Sequence, residues 1–416
     1  MEQIIIEGGF NLRGEVEISG AKNATLPLMT ACLLTDQEVL LSNVPDLSDV
    51  KSMVSLLSNH GVKVNQQDNI VSLEANNVNN FIAPYEIVKT MRASIWVLAP
   101  LLARFGEAKV SLPGGCVIGV RPIDLHLKAL EELGAEIELK EGYVIAKAKK
   151  LKGATINFKK ISVGATVTTL MAACLAEGKT IIKNAAREPE VSDLINLLNK
   201  MGAKIEGINT STLYITGVSS LNGANHKVMP DRIETGSFMI AAGMCKSKIR
   251  IKNSCQKFLL EPINKLSSIG ISVTEDGDDL VVKPAISKIN PENIETLEYP
   301  YFPTDLQAQF MSLLCLADGE SEIQENIFEN RFMHVAELSR MGADIKTSEN
   351  RAFIKGVDNF IAAEVMATDL RASIALVLAG LVAKGTTKIN RVYHIDRGYE
   401  KVVRKFENLG AKISRV

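Results

Sequence analysis

The chain repeats itself. Six times, a glycine that follows an amphipathic segment is succeeded by a short β-like run: HGVKV, LGAEIEL, MGAKIEG, IGISV, MGADIKT and LGAKISRV. The glycines, Gly61, Gly134, Gly202, Gly270, Gly342 and Gly410, fall 73, 68, 68, 72 and 68 residues apart. A regular period of this length marks one structural unit copied along the chain. Glycine just past a helix end is the usual left-handed cap, so segments such as VSDLINLLNKM and YEKVVRKFENL are expected to be helices that stop there. Each unit also carries an earlier segment, expected to be a helix, that is apolar on nearly every face, among them SIWVLAPLLARF, ATVTTLMAACLA and SIALVLAGLVA, which calls for burial all round. Strand-like runs such as KTIIKN, SKIRIKN and TKINRV follow. Each unit therefore reads as buried helix, strand, loop, amphipathic helix, strand, with a further strand before the next unit. The fold class expected is α/β, with helices packed inside sheets.

A unit of ~70 residues supplies only a marginal core by itself, so two lobes of three units are expected rather than six domains. The boundary should fall near LNGANHKVMPDR, residues 221–232. The first buried helix begins near Lys22, which leaves residues 1–20 as strands ahead of it, expected to pair with the last unit. The lobes are then 21–229 and 1–20 plus 230–416, with the chain crossing near 20 and again near 230. A cleft between lobes is the natural place for a ligand.

Lys plus Arg number 47 against 48 for Asp plus Glu, a net charge of -1. That balance argues against a general nucleic-acid or membrane-surface binder, so any charge-based function must be local. The six cysteines are scattered, with no CxxC pair and no metal-ligand spacing, which implies a reducing cytosol and no structural metal. MEQIIIEGGF has no basic region leading into an apolar run, so no secretory signal is expected. IALVLAGLVA, between Arg371 and Lys384, is too short to span a bilayer.

Residues at equivalent places in the repeat should look alike unless function distinguishes them, and here they differ. At the starts of the buried helices stand Lys22 and Asn23, Arg92, Ser162 to Gly164, Asp231 and Glu234, Asp305, and Arg371. A cation at a helix N-terminus opposes the macrodipole at a cost of about 0.3–1 kcal/mol. Lys22, Arg92 and Arg371 accept that cost, which an anion bound among helix N-termini would offset. The loops after the following strands carry a second set: Asp49, then Cys116, Arg121 and Asp124, then Glu188 and Glu190, then Arg331, then Asp396 and Arg397. LPGGCVIGVRPIDLH, residues 112–126, places the Cys116 thiol in a glycine-rich loop beside a cation. Cys116 is either a small apolar loop residue or a thiol made usable as acid or nucleophile. Asp305 is either a first-turn acid favoured by the dipole or, opposite the cations, a general base. His126, His334 and His394 read as hydrogen-bonding residues, Trp96 as core, and the remaining cysteines as packing.

Ten motifs in order, SGAKNA (19–24), KTMRASIW (89–96), the Cys116 loop, KISVGATVT (160–168), NAAREPE, PDRIETG, FPTDLQAQ, ENRFMH, ATDLRAS and YHIDRGYE, resemble the UDP-N-acetylglucosamine 1-carboxyvinyltransferases over essentially the whole chain. The related shikimate-3-phosphate enolpyruvyl transferases share the repeats but differ in the loop that here holds Cys116. The resemblance implies a two-lobe inside-out α/β barrel, three units per lobe, with the active site in the cleft. It implies transfer of an enolpyruvyl group from phosphoenolpyruvate to the 3'-hydroxyl of UDP-N-acetylglucosamine, the first committed step of peptidoglycan synthesis in the cytoplasm. Lys22, Arg121 and Arg397 would hold the phosphate of phosphoenolpyruvate, Arg331 and Arg371 its carboxylate, with Arg92 and Asn23 assisting. Cys116 would be the acid, able to form a covalent adduct, and Asp305 the base, with Lys22 and Arg397 also catalytic. Around the nucleotide sugar the pattern carries to Arg121, Pro122, Ile123, Asp124 and Leu125 at the uridine, to Lys160, Ser162, Val163 and Gly164 at the diphosphate, and to Asp305 and Ile327 at the sugar, alongside Asn23 and Arg92. Asp49, Glu188, Asp231 and Asp369 match acidic positions whose roles stay open. No cofactor, metal or obligate protein partner is implied. The competing readings are a shikimate-3-phosphate transferase and a silent paralogue that binds the sugar nucleotide as a regulator.

Overall fold

A computed structural model of the chain describes residues 2–89, 91–112 and 123–416. These fall into two compact units, one from 2–19 with 230–416 and one from 20–112 with 123–229. Each unit holds three four-stranded sheets. All six sheets share one pairing pattern. In the sheet that holds Glu38–Ser42, the edge strand Ala224–Lys227 lies parallel to it, Ile70–Glu74 lies antiparallel on its other side, and Lys63–Gln67 completes a hairpin. Along Lys179–Lys183 and Thr212–Thr216 burial alternates, so Ile182, Leu213 and Ile215 face the core and their neighbours face outward.

The inner layer consists of helices buried on every side. Arg232–Met244 is buried from end to end, Val163–Ala173 from Ala165 onward, and Leu370–Val382 from Arg371 to Leu381. Amphipathic helices such as Pro189–Lys200 turn Val191, Leu194, Ile195 and Leu198 inward, with Pro189 at the first helical position, where a missing N–H is harmless. The six repeat glycines all have φ between 89° and 101°, the left-handed backbone that closes a helix without a Cβ penalty. Cys174, Cys245 and Cys315 each follow the last residue of a buried helix, and Cys32 lies in the turn Ala31–Leu34. Burial pushes the first three thiols up to about 12, in keeping with packing.

Two expectations need correction. SIWVLAPLLARF is not one helix: a 3₁₀ turn, Arg92–Val97, precedes an α-helix, Leu98–Phe105. Pro100 explains the break, because in an unbroken α-helix its ring would collide with the carbonyl four residues earlier. The N-terminal strands do not both join the last repeat. Ile4–Glu7 sits between Thr386–Asn390 and Lys412–Arg415, but Gly14–Glu17 runs parallel to Ile249–Lys252 in the fourth repeat's sheet. Among the described residues, no helix is long and apolar enough to cross a membrane.

Candidate active site

In the 230–416 unit the buried helices pack on one another and present three differently furnished N-termini. Asp231 caps Arg232–Met244, accepting from the backbone N–H groups of Ile233 and Glu234 at 2.8 and 3.0 Å. Asp369 caps Leu370–Val382, accepting from those of Arg371 and Ala372 at 2.7 and 3.1 Å. These two acids therefore do a cap's work, satisfying otherwise orphaned donors. Asp305 lies on the 3₁₀ turn Thr304–Leu306 ahead of Gln307–Leu314. Arg331 donates through Nη2 to its Oδ1, and Arg371 through Nη2 to its Oδ2, each at 2.7 Å. The arginine side chains are only 4% and 7% exposed, whereas Asp305 is 26% exposed. Burial opposes the charge on Arg371, but Asp305 and Tyr399 outweigh it and hold the guanidinium well above the ordinary arginine range.

Behind Arg371 stands a buried polar cluster. The Tyr399 hydroxyl shares a hydrogen bond with Ser237 Oγ at 2.7 Å and accepts from Arg371 Nη1 at 3.4 Å. Gln309 Nε2 reaches that hydroxyl at 3.2 Å and the Asp305 carbonyl at 2.9 Å. Glu325, also buried, accepts from Thr304 Oγ1 at 2.9 Å and from the N–H groups of Ile327 and Phe328 at 2.9 and 3.1 Å. It thus ties the Asp305 turn to the loop that leads to Arg331. Burial pushes the Glu325 carboxyl up, while Arg331 and these donors pull it down. His334 Nε2 lies 3.1 Å from Met311 Sδ, and burial pushes its imidazole down to about 4, leaving it neutral beside Arg331. Arg397 ends the turn Val392–Arg397, half-buried, and adds to the burial that lowers His394.

The 20–229 unit carries its own cluster. Lys22 opens the helix Lys22–Thr30 with Asn23 beside it, and its Nζ lies 3.6 Å from Asp49 Oδ2. Arg92 opens its 3₁₀ turn. Ser162 caps Val163–Ala173, its Oγ accepting from the Ala165 N–H at 3.2 Å. The Trp96 indole N–H donates to the Gly164 carbonyl at 3.3 Å, and Trp96 is half-buried, so it is not the core residue expected but a brace on a helix N-terminus. A Cβ on Gly164 would lie 2.8 Å from the His126 ring, so only glycine fits. His126 Nδ1 pairs with Thr168 Oγ1 at 2.8 Å, and burial together with Arg92 pushes the imidazole down to about 4. The Ile123 carbonyl accepts from His126 and Leu127 at the start of Asp124–Glu132. Asp124 and Leu125 border a pocket of about 130 Å³ against Ile156–Lys159, Lys160 is exposed, and Glu188 immediately precedes Pro189–Lys200. Cys116, Arg121 and Pro122 lie outside the described residues.

Lys22 and Arg92 in the 20–229 unit and Arg371 in the 230–416 unit stand at helix or turn starts, and Arg331 reaches Asp305 from a loop, an arrangement suited to binding anions. Among the described residues, no group of three His, Cys, Asp or Glu could hold a metal. Sequence reasoning did not single out Ser237, Gln309, Glu325 or Tyr399. For Ser237 and Gln309 the signal was there, since a polar side chain on an otherwise apolar helix must find a partner when buried; Glu325, on the strand Glu320–Glu325, and Tyr399, in a loop, had none.

Residues 6–406 match the family EPSP synthase (3-phosphoshikimate 1-carboxyvinyltransferase). A UDP-N-acetylglucosamine 1-carboxyvinyltransferase of Geotalea uraniireducens is 54% identical over 416 residues, covering all of both chains. One from Hydrogenovibrio crunogenus is 52% identical with the same coverage. The chain belongs to the UDP-N-acetylglucosamine 1-carboxyvinyltransferase family. Its fold is also that of more distant solved structures. The enolpyruvyl transferase NikO from Streptomyces tendae superposes with a TM-score of 0.91 at 23% identity, over 100% of this chain and 99% of that one. An EPSP synthase from Acinetobacter baumannii gives 0.78 at 16%, over the whole of both. The UDP-N-acetylglucosamine 1-carboxyvinyltransferase family is one of enzymes, and here its enolpyruvyl transferase fold appears as a two-unit α/β chain with six small sheets.

Proposed function

We propose that this protein transfers the enolpyruvyl group of phosphoenolpyruvate to the 3'-hydroxyl of UDP-N-acetylglucosamine, releasing phosphate, as the first committed step of peptidoglycan synthesis. The observation that carries this reading is the end-to-end identity of more than half the chain with enzymes named for that transfer, in a molecule where Asp305 faces two buried guanidiniums. In the mechanism we assign, Asp305 takes the hydroxyl proton, the hydroxyl oxygen bonds to C2 of phosphoenolpyruvate, and Cys116 gives a proton to C3. The tetrahedral phosphate-bearing intermediate then loses a proton from C3 and expels phosphate, restoring the enol ether. Lys22, Arg121 and Arg397 hold the phosphate, Arg331 and Arg371 the carboxylate, and Arg92 and Asn23 assist. Fixed cations aimed at a charge that develops in the transition state are usually the largest single contribution to such catalysis.

The nucleotide sugar is assigned to Arg121, Pro122, Ile123, Asp124 and Leu125 at the uridine, Lys160, Ser162, Val163 and Gly164 at the diphosphate, and Asp305 and Ile327 at the sugar. The pocket beside Asp124 and Leu125 supports the first of these. The repeats are read as an inside-out α/β barrel of two three-unit lobes with the active site in the cleft, and the protein as cytoplasmic, working on these two substrates without a protein partner. The family match carries the name of a shikimate-3-phosphate enzyme, but identity above 50% to the UDP-N-acetylglucosamine enzymes favours the sugar nucleotide. The test is phosphate release from phosphoenolpyruvate with and without UDP-N-acetylglucosamine, in the unaltered protein and in Cys116→Ala. Release that requires both the sugar nucleotide and Cys116 is expected. Release driven by shikimate 3-phosphate, or none with the sugar nucleotide bound, overturns the assignment.

A further inference from the structure

Arg331 and Arg371 are almost wholly buried, and both point one Nη2 at the same carboxylate. Two guanidiniums out of water need an anion between them, because an uncompensated buried charge is severely destabilising. Their positions do not depend on Asp305 alone. Arg371 is also held through its other terminal nitrogen, Nη1, by the Tyr399 hydroxyl, itself bonded to Ser237 and Gln309, and Arg331 lies over the Phe328 ring with its centre 5.3 Å away. Asp305 is the most exposed of the three, on a turn of three residues. The guanidiniums form the fixed floor, and the aspartate is the anion on the open side. A carboxylate with each oxygen committed to a guanidinium donor is also poorly placed to take a proton from a substrate hydroxyl.

We infer that Asp305 occupies the place of a substrate carboxylate between Arg331 and Arg371, and that a carboxylate-bearing substrate exchanges with it and so releases it to act as the base. The exchange replaces one carboxylate by another on the same two guanidiniums, so no covalent bond is made or broken, the buried guanidiniums keep an anion between them, and the charge set free is that of Asp305, the most exposed of the three. It makes the base available only once the acceptor of the new bond is in place. This inference rests on the assignment of Arg331 and Arg371 to the carboxylate of phosphoenolpyruvate.

The test is calorimetric titration of the full-length Cys116→Ala protein, in the presence of UDP-N-acetylglucosamine, with and without Asp305→Asn. Phosphoenolpyruvate is expected to bind more tightly to the Asn protein, by about tenfold or more, because Asp305 competes through two charge-assisted hydrogen bonds and the loss of either is worth about a factor of ten. Inorganic phosphate, which lacks a carboxylate, should bind both alike. Unchanged or weaker phosphoenolpyruvate binding, or equal tightening for phosphate, overturns the exchange. Should Asp305→Asn fail to fold, infrared spectra of the Cys116→Ala protein carrying ¹³C-labelled aspartate serve instead. Phosphoenolpyruvate, and not phosphate, should shift an aspartate carboxylate stretch that is missing from an Asp305→Ala spectrum or, if that variant also fails, from one of Asp305→Glu; no shift overturns the inference. Absence of phosphate release by the unaltered protein would instead overturn the functional reading.

Discussion

Removing the Tyr399 hydroxyl takes a buried partner from Ser237, Gln309 and Arg371 at once. Each keeps another partner, Ser237 the Ile233 carbonyl, Gln309 the Asp305 carbonyl and Arg371 the Asp305 carboxylate, so the loss is of hydrogen bonds and not of orphaned groups, and Tyr399→Phe should lower the stability read by urea unfolding by about 0.5–1.5 kcal/mol. Because Arg371 loses its brace while the reacting groups stay, KM for phosphoenolpyruvate should rise several-fold with a smaller change in kcat; an unchanged KM would mean that the hydroxyl serves packing alone. His126 supports a different prediction. Its folded pKa of about 4 lies below the ordinary histidine value of about 6.5, so between those values the unfolded chain takes up a proton that the folded protein does not. Stability therefore falls as pH drops through this window, by about 2 kcal/mol at pH 5. Urea midpoints at pH 7 and pH 5 should show the loss, and His126→Gln should reduce it by about 2 kcal/mol while the share due to His334, also lowered to about 4, remains. At this scale the sequence revealed which residues are unusual, as with Asp305, but not what they touch. The pairing of Asp305 with Arg371, 66 positions away, has no local signature.

The helix starts join packing to chemistry. Gly236, in the first turns of Arg232–Met244, lies against Leu306, and a Cβ there would come within 2.6 Å of Leu306 Cδ1. Leu306 is fully buried and follows Asp305 in the chain. Gly236→Ala should therefore cost about 1–3 kcal/mol by overpacking and, by shifting the Asp305 turn, lower kcat. Thermal unfolding and steady-state kinetics on one preparation check both effects; a loss of stability with kcat intact would separate them. Asp369→Ala should remove the cap of Leu370–Val382 for about 1 kcal/mol, measurable by urea unfolding. Element types were largely legible because helix periodicity, glycine caps and proline stops are local physics. The 3₁₀ turns before Leu98 and Gln307 were not, since an apolar run does not say where an α-helix begins.

Across the molecule, the N-terminal segment is the least local feature. Ile4–Glu7 pairs on both sides within its sheet, with Thr386–Asn390 and Lys412–Arg415. Deleting residues 2–7 would empty a central strand position, strip backbone partners from both neighbours and expose Ile389 and Ile413, which are buried now. Calorimetry of the shortened protein should show loss of the cooperative transition of the 230–416 unit; retention of that transition would show that the strand is dispensable.

The sequence by itself determined the repeat, the order of helices and strands, the left-handed glycine caps and the set of charged residues placed where helices begin. Those properties follow from side-chain periodicity and backbone conformation within a few residues. Only the tertiary structure decided that Gly14–Glu17 leaves the last repeat for Ile249–Lys252, that Asp231 and Asp369 act as caps, and that Asp305 meets both Arg331 and Arg371 over Tyr399. Buried charges and hydroxyls take whichever partner the packed helices bring within about 3 Å, and that distance is set by chain crossings no local pattern encodes.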